Sequence, residues 1–271
     1  MKKIFYSILF LCLSYGCQDV IEVQVPIDQP RLVVDALLRI DDIQNPTTVV
    51  RITTSITSSF FGDITPAQVD QISILNTLTN TELQLPEDTV GSGVYRRDIA
   101  TEFLTSGQLL LKINYNGQVY EASTSFVPSV PIDTLVQGTN TLFNNDETEI
   151  IISFTDAPDR VDFYLFDFDF NEYLVSEDTF YPGQSFQFSY FYDPGLKPST
   201  ELEVGILGVD EPFYNYMTQL IVQAGGDQGP FQTPAATVKG NVINTTNPDN
   251  FALGYFAVSE AFTSNLIIEE K

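Results

Sequence analysis

Two β-forming runs, residues 109–115 and 118–122, flank the dipeptide Asn116-Gly117. Both members of such a pair tolerate positive φ, which a two-residue hairpin turn demands, so the stretch reads as a β-hairpin. The rest of the chain repeats the theme. Residues 31–38, 48–56, 71–75 and 81–85 are short runs rich in Val, Ile, Leu and Thr, bounded by polar turns, and residues 93–96 start another. Strands at this spacing predict a sandwich of roughly seven strands. Pro128-Ser129-Val130-Pro131 then interrupts the pattern, because two prolines in four residues disfavour helix and interior strand alike. Beyond it, residues 149–154, 162–168, 185–190 and 201–207 are strand-like again, with heavier aromatic loading.

One segment has a different period. Phe213, Tyr216, Met217, Leu220, Ile221 and Ala224 fall at i, i+3, i+4, i+7, i+8 and i+11, one stripe of an amphipathic helix. Asp210 or Glu211 suits its N-terminal end, Pro212 its first turn, and Gly225-Gly226 its stop. The expected fold is all-β: two β-sandwich domains in tandem, of immunoglobulin or transthyretin-like type, with one amphipathic helix at about 212–224 in the second. The expected division is 1–16 signal peptide, 17–30 lipidated tether, 31–128 N-terminal sandwich and 129–271 C-terminal sandwich with the helix.

The leader sets the compartment. Lys2 and Lys3 precede an apolar run at residues 4–13. Roughly ten apolar residues are too few for a span, which needs about 20, but they suit a secretory signal. The run ends in Leu13-Ser14-Tyr15-Gly16-Cys17, which resembles a bacterial lipobox. Acylation of the Cys17 thiol would hold the chain to a lipid bilayer, since each buried methylene contributes about 0.8 kcal/mol. Both cysteines, Cys12 and Cys17, lie in this leader, so the mature body has no disulfide and relies on core burial. Removing the leader leaves 10 basic residues against 36 acidic, a net charge of −26. Such a charge repels nucleic acid.

Further motifs carry a family resemblance. Tyr214-Asn215-Tyr216 sits at the start of the helix. Gly229-Pro230-Phe231-Gln232-Thr233-Pro234-Ala235 and Val238-Lys239-Gly240-Asn241-Val242 follow it, and Ala252-Leu253-Gly254-Tyr255-Phe256-Ala257-Val258-Ser259 closes the chain. Leu32-Val33-Val34-Asp35 and Val130-Pro131-Ile132-Asp133-Thr134-Leu135 agree with it. The chain resembles the domain-of-unknown-function family 4249 lipoproteins of Bacteroidota over nearly its whole length. The resemblance implies an outer-membrane lipoprotein, often encoded beside a TonB-dependent outer-membrane receptor. It implies no biochemical activity, and Gln18-Asp19 leaves the periplasmic or surface-exposed face open.

Catalysis is poorly supplied. With no histidine there is no Ser-His-Asp or Cys-His pair and no histidine metal site. Acid pairs such as Glu147 and Glu149 are expected by chance among 36 acids. The expectation is a non-enzyme without cofactor. Residues 163–192 hold 13 aromatics in 30 positions and provide the candidate ligand or partner surface: Tyr164, Phe166, Phe168, Phe170 and Tyr173, with Phe231 of the 225–240 loop. The bland reading of 162–168 is a strand covered on both faces, since apolar residues occupy both alternation sets. Asp167, Asp169, Asn171 and Glu172 form a weak Ca²⁺ candidate, lacking the glycine and terminal glutamate of an EF-hand loop. The 225–240 loop is expected to be ordered by Phe231, leading into a strand at 236–238. Asp88-Thr89-Val90 and Asp133-Thr134-Leu135 resemble an O-glycosylation sequon in loop or linker positions. Two functions follow: a non-enzymatic accessory of a TonB-dependent receptor, or an independent cell-surface module binding a glycan or protein.

Overall fold

The computed structural model describes residues 29–58, 62–143, 146–226 and 236–270. The first half comprises β1 (Leu32–Ile40), β2 (Thr47–Ile56), β3 (Thr65–Pro66), β4 (Gln71–Asn76), β5 (Thr81–Gln84), β6 (Val94–Ala100), a short helix α1 (Thr101–Thr105), β7 (Gln108–Tyr115) and β8 (Gln118–Val127). The second comprises β9 (Ile132–Gln137), β10 (Thr148–Thr155), β11 (Phe163–Asp167), β12 (Tyr173–Glu177), β13 (Ser185–Tyr192), β14 (Glu201–Val209), the helix α2 (Glu211–Ile221), β15 (Ile243–Asn244) and β16 (Leu253–Ile267). The Asn116-Gly117 hairpin forms as its residues demand, with φ of 51° and 71°.

In the first sandwich, β6, β2, β1 and the start of β16 form one wall and β5, β4, β7 and β8 the other, the two walls being joined where β16 pairs with β8 in a continuous 13-stranded sheet. Their facing sides meet in a core. Leu32, Val34, Ala36, Leu38 and Ile40 enter it from β1, opposite Ile72, Ile74, Leu109, Leu111 and Ile113, and Leu104 of α1 joins them. Period-two alternation sends these β1 residues inward. Val33 and Leu37, on the other side of the strand, pack elsewhere.

The second sandwich sets β12, β11, β14 and the end of β16 against the three-stranded sheet β13-β10-β9. Ile150, Ile152, Phe154, Tyr164, Phe166, Val204 and Ile206 fill the space between. Helix α2 covers the outer face of the four-stranded sheet through Phe213 and Met217, which meet Leu165, Leu207, Val209, Tyr255, Ala257 and Ala261.

β16 ties the halves together. Leu253 to Glu260 pair in parallel with β1, and Val258-Ser259 with Phe126-Val127 of β8, while Ala261 to Ile267 pair antiparallel with β14. The division into 31–128 and 129–271 therefore misses the packing. Val242, Ala252, Phe256 and Val258 lie in the first core, because the first sheet is completed only when the last strand returns to it. The proline segment is built into this seam: the Ser129 N–H donates to Glu260 (2.8 Å), and its carbonyl accepts from Arg160 (2.9 Å).

Three local expectations change. Residues 236–238 are not strand. Asp133-Thr134-Leu135 lies in β9, not in a linker, and Asp133 accepts a hydrogen bond from the Thr155 hydroxyl (2.7 Å). β12 was not expected; it follows a turn in which Asp169, Phe170 and Asn171 all take φ between 50° and 64°.

Candidate functional site

Tyr164, Phe166 and Phe168 are 0% exposed, which removes them from the candidate surface. They project from β11 and its end into the second core, where Phe166 meets Phe154 at 5.5 Å and Phe188 at 5.0 Å, and Phe168 stacks on Tyr190 at 3.9 Å. The opposite face of β11 presents Phe163 and Leu165 to the helix α2. The strand is thus covered on both sides, and its aromatics supply burial. Tyr164 ends in a polar pocket, donating to Asp156 (2.5 Å) and Asp162 (2.9 Å), while Arg160 pairs with Asp162 at 2.7 Å. Burial, and then those carboxylates, push the Tyr164 phenol far above its ordinary pKa, so it stays a neutral donor. Phe170 is 51% exposed at the β11–β12 turn. Tyr173 is half-buried under α2. Cys17 and Phe231 lie outside the described residues.

The acids of that turn are engaged locally. Asp167 pairs with Arg39 across the seam and accepts from the Asp169 N–H (3.1 Å). Asp169 accepts from the Phe170 N–H (2.8 Å), and Glu172 from the Tyr190 hydroxyl (2.6 Å). Among the described residues no three acids converge as a cation would require, and the Ca²⁺ candidate finds no support. Glu147 and Glu149 serve a loop instead. Glu147 accepts from the N–H groups of Leu142 and Phe143, and Glu149 from Asn140 and Ser189. Burial acts to raise the Glu149 pKa, but the hydrogen bonds outweigh it and hold the group below the usual carboxylate range.

One concave feature among the described residues lies where the two halves meet. Asp210 caps α2 by accepting from the Phe213 N–H (2.8 Å), and the helix lies over the seam. Between helix and sheet is a cleft of about 220 Å³, lined by Val33, Leu37, Leu165, Tyr173, Tyr216 and Leu220 among others, with Asp35 as its charged residue. Tyr255 also lines it, and burial followed by Asp210 pushes its phenol up; burial followed by Asp35 does the same for Tyr216. These phenols are hydrogen-bonding ends on apolar rings, not proton donors at neutral pH. Sequence reasoning missed Val33, Asp35 and Leu37. The signal was present in β1, where Val33 and Leu37 place apolar side chains on the alternation set that also holds Asp35 and Arg39, so that this face is partly covered.

Two β-sandwiches thus share the strand β16, and a helix and a cleft lie at their seam. The chain belongs to the family described as Domain of unknown function (DUF4249), whose model matches residues 18–265. No curated protein matches it. Among solved structures, one of a 1.5-MDa bacterial ice-binding adhesin is 9% identical, with a TM-score of 0.20. That match covers 89% of this chain and 64% of the other, so this chain spans less than two thirds of it, and it carries no argument about fold or function.

Proposed function

We propose that this chain is a lipid-anchored, non-enzymatic accessory of a TonB-dependent outer-membrane receptor, held to the outer membrane by acylated Cys17. The observation that carries the reading is the seam cleft. Ligand and partner sites favour junctions between domains, where rigid walls from two units can exclude water from one side chain. Here the walls are aliphatic and aromatic, Leu220 stands 38% exposed at the rim, and the cleft offers burial in place of chemistry. The lipobox and the family's implied neighbourhood supply the membrane and the receptor.

Affinity purification of the tagged full chain from detergent-solubilised outer membranes tests this. A TonB-dependent receptor is expected to co-purify. Leu220→Asp should lower its yield several-fold without unfolding the chain, and Cys17→Ser should release the chain from the membrane fraction. A correctly lipidated chain that purifies alone would falsify the reading. An independent surface module for a glycan or protein is the second reading, favoured by the exposed rings of Phe170 and Phe186. Undiminished ligand capture by receptor-deleted cells would select it.

A further inference from the structure

A sheet's terminal strand exposes a row of unpaired N–H and C=O groups, and proteins blunt such edges with charge, proline or brevity. Most terminal strands here obey. β5 has four residues and carries Glu82, β6 carries Arg96, Arg97 and Asp98, β9 carries Asp133, and β12 carries Glu177. β13 does not. Its eight residues, Ser-Phe-Gln-Phe-Ser-Tyr-Phe-Tyr, contain no charge and no proline, although 18% of the chain is charged. It pairs with β10 on one side and with no described strand on the other.

The direction of its free groups follows from two hydrogen bonds. The Glu149 carbonyl accepts from Gly138 on the β9 side, and the Asp156 N–H donates to Gln184 on the β13 side. In an antiparallel ladder each residue points both backbone groups the same way, and neighbours alternate. Even-numbered residues of β10 therefore face β13 and bond to Phe186, Phe188, Tyr190 and Tyr192. Ser185, Gln187, Ser189 and Phe191 point their N–H and C=O groups outward. The aromatic side chains beside this edge are only partly covered: Phe186 is 36% exposed while stacked on Tyr181 at 4.5 Å, and Phe188 and Tyr190 are half-buried.

We infer that β13 is a docking edge, onto which an extended segment of a partner protein adds as a further strand. Backbone groups at Ser185, Gln187, Ser189 and Phe191 would supply the ladder. Alternate apolar side chains of the added strand would cover Phe186, Phe188 and Tyr190. Charge selects the occupant. Glu172, bonded to Tyr190, lies toward one end of the open side. Glu177 lies toward the other, next to Ser176, which bonds Tyr181. The added segment is therefore flanked by lysine or arginine. A second copy of this chain is disfavoured, because each copy is strongly acidic, with 36 acidic residues against at most 12 basic. This inference is independent of the receptor reading.

The test uses the detergent-solubilised full chain and a synthetic peptide, acetyl-Lys-Lys-Thr-Val-Thr-Phe-Thr-Val-Lys-Lys-amide. Binding should slow hydrogen exchange at least ten-fold at the amides of Ser185, Gln187, Ser189 and Phe191, leaving those of Phe186, Phe188 and Tyr190 unchanged. Gln187→Pro removes one outward N–H and spares the inner ladder, as prolines on edge strands do, and should weaken binding at least ten-fold. The same peptide, N-methylated at alternate backbone nitrogens, should lose binding in one of the two methylation registers. That arm needs no change to the protein. The inference is overturned if the peptide gives no protection, if both methylated forms bind like the parent, or if the chain dimerises through β13 without peptide.

Discussion

Replacing Phe166 by alanine separates a core role from a surface role for the aromatic stretch. The ring is 0% exposed and touches Phe154 at 5.5 Å, Phe168 at 6.1 Å and Phe188 at 5.0 Å. A buried phenylalanine cut to alanine costs about 3–5 kcal/mol, set by how far the site can collapse. Collapse is restricted here, because Phe154 is also held by Tyr164, Tyr181 and Phe186. The near-perpendicular contact with Phe188 adds about 0.5–1.5 kcal/mol beyond area burial. The expected loss is therefore about 4–5 kcal/mol, against a typical total of about 5–15 kcal/mol. Urea denaturation followed by far-UV circular dichroism reads it, since the chain has no tryptophan. The midpoint should fall with the slope unchanged. Phe170→Gly is the contrast: Phe170 is 51% exposed with φ of 50°, where a side chain costs about 1–2 kcal/mol, so glycine should leave the midpoint unchanged or raise it. A loss below about 1.5 kcal/mol for Phe166→Ala would refute the placement of this ring in a close-packed core.

Gly254→Ala should destabilise the protein by several kcal/mol or prevent folding, read by the same denaturation. Its φ is +99°, and an added Cβ would fall 1.9 Å from the Val34 carbonyl oxygen, where β16 pairs with β1. Glu149→Gln should flatten the acid limb of the stability profile. The Glu149 pKa is lowered on folding, so its stabilisation is present above the unfolded value near 4.5 and is lost as pH falls through the folded value. Midpoints measured from pH 6 down to pH 3 check this, and parallel wild-type and variant curves would contradict it. Ser259→Ala should raise stability by about 1 kcal/mol or leave it unchanged, because the Ser259 hydroxyl is fully buried without a hydrogen-bond partner among the described residues. A clear loss would show that the hydroxyl is satisfied in solution.

Strand and helix identity were legible residue by residue. The Asn116-Gly117 turn, the β-branched run of β2 and the stripe from Phe213 to Ile221 each announce a local conformation, because alternation and helical period are properties of neighbours in the chain. Asp210 capping α2 and Pro212 in its first turn were readable for the same reason. β9 and β12 were not. Pro131 and Asp133 disguise the first as a linker, and the second follows an αL turn that its residues do not advertise.

The aromatic stretch shows where reading along the chain stops. Alternation divided Tyr164 and Phe166 from Phe163 and Leu165, yet it could not say that both sets are covered. One cover is β10 and β13; the other is a helix some 50 residues downstream. The cleft has the same origin, drawing Val33 and Leu37 from β1, Tyr173 from β12 and Tyr216 from α2.

The residues by themselves determined that the chain is all-β and where its hairpin and helix lie, and they place a thiol at the end of a motif that resembles a lipobox. Tertiary structure alone decided that β16 completes both sandwiches, that Arg39 meets Asp167 across the seam, and that among the described residues no strand pairs with the outer edge of the uncharged β13. The physical reason is that a strand's hydrogen bonds are made sideways, to partners that can lie 200 residues away. Side-chain pattern tells a strand which face is buried, and only the assembled sheets determine which edge is left unpaired.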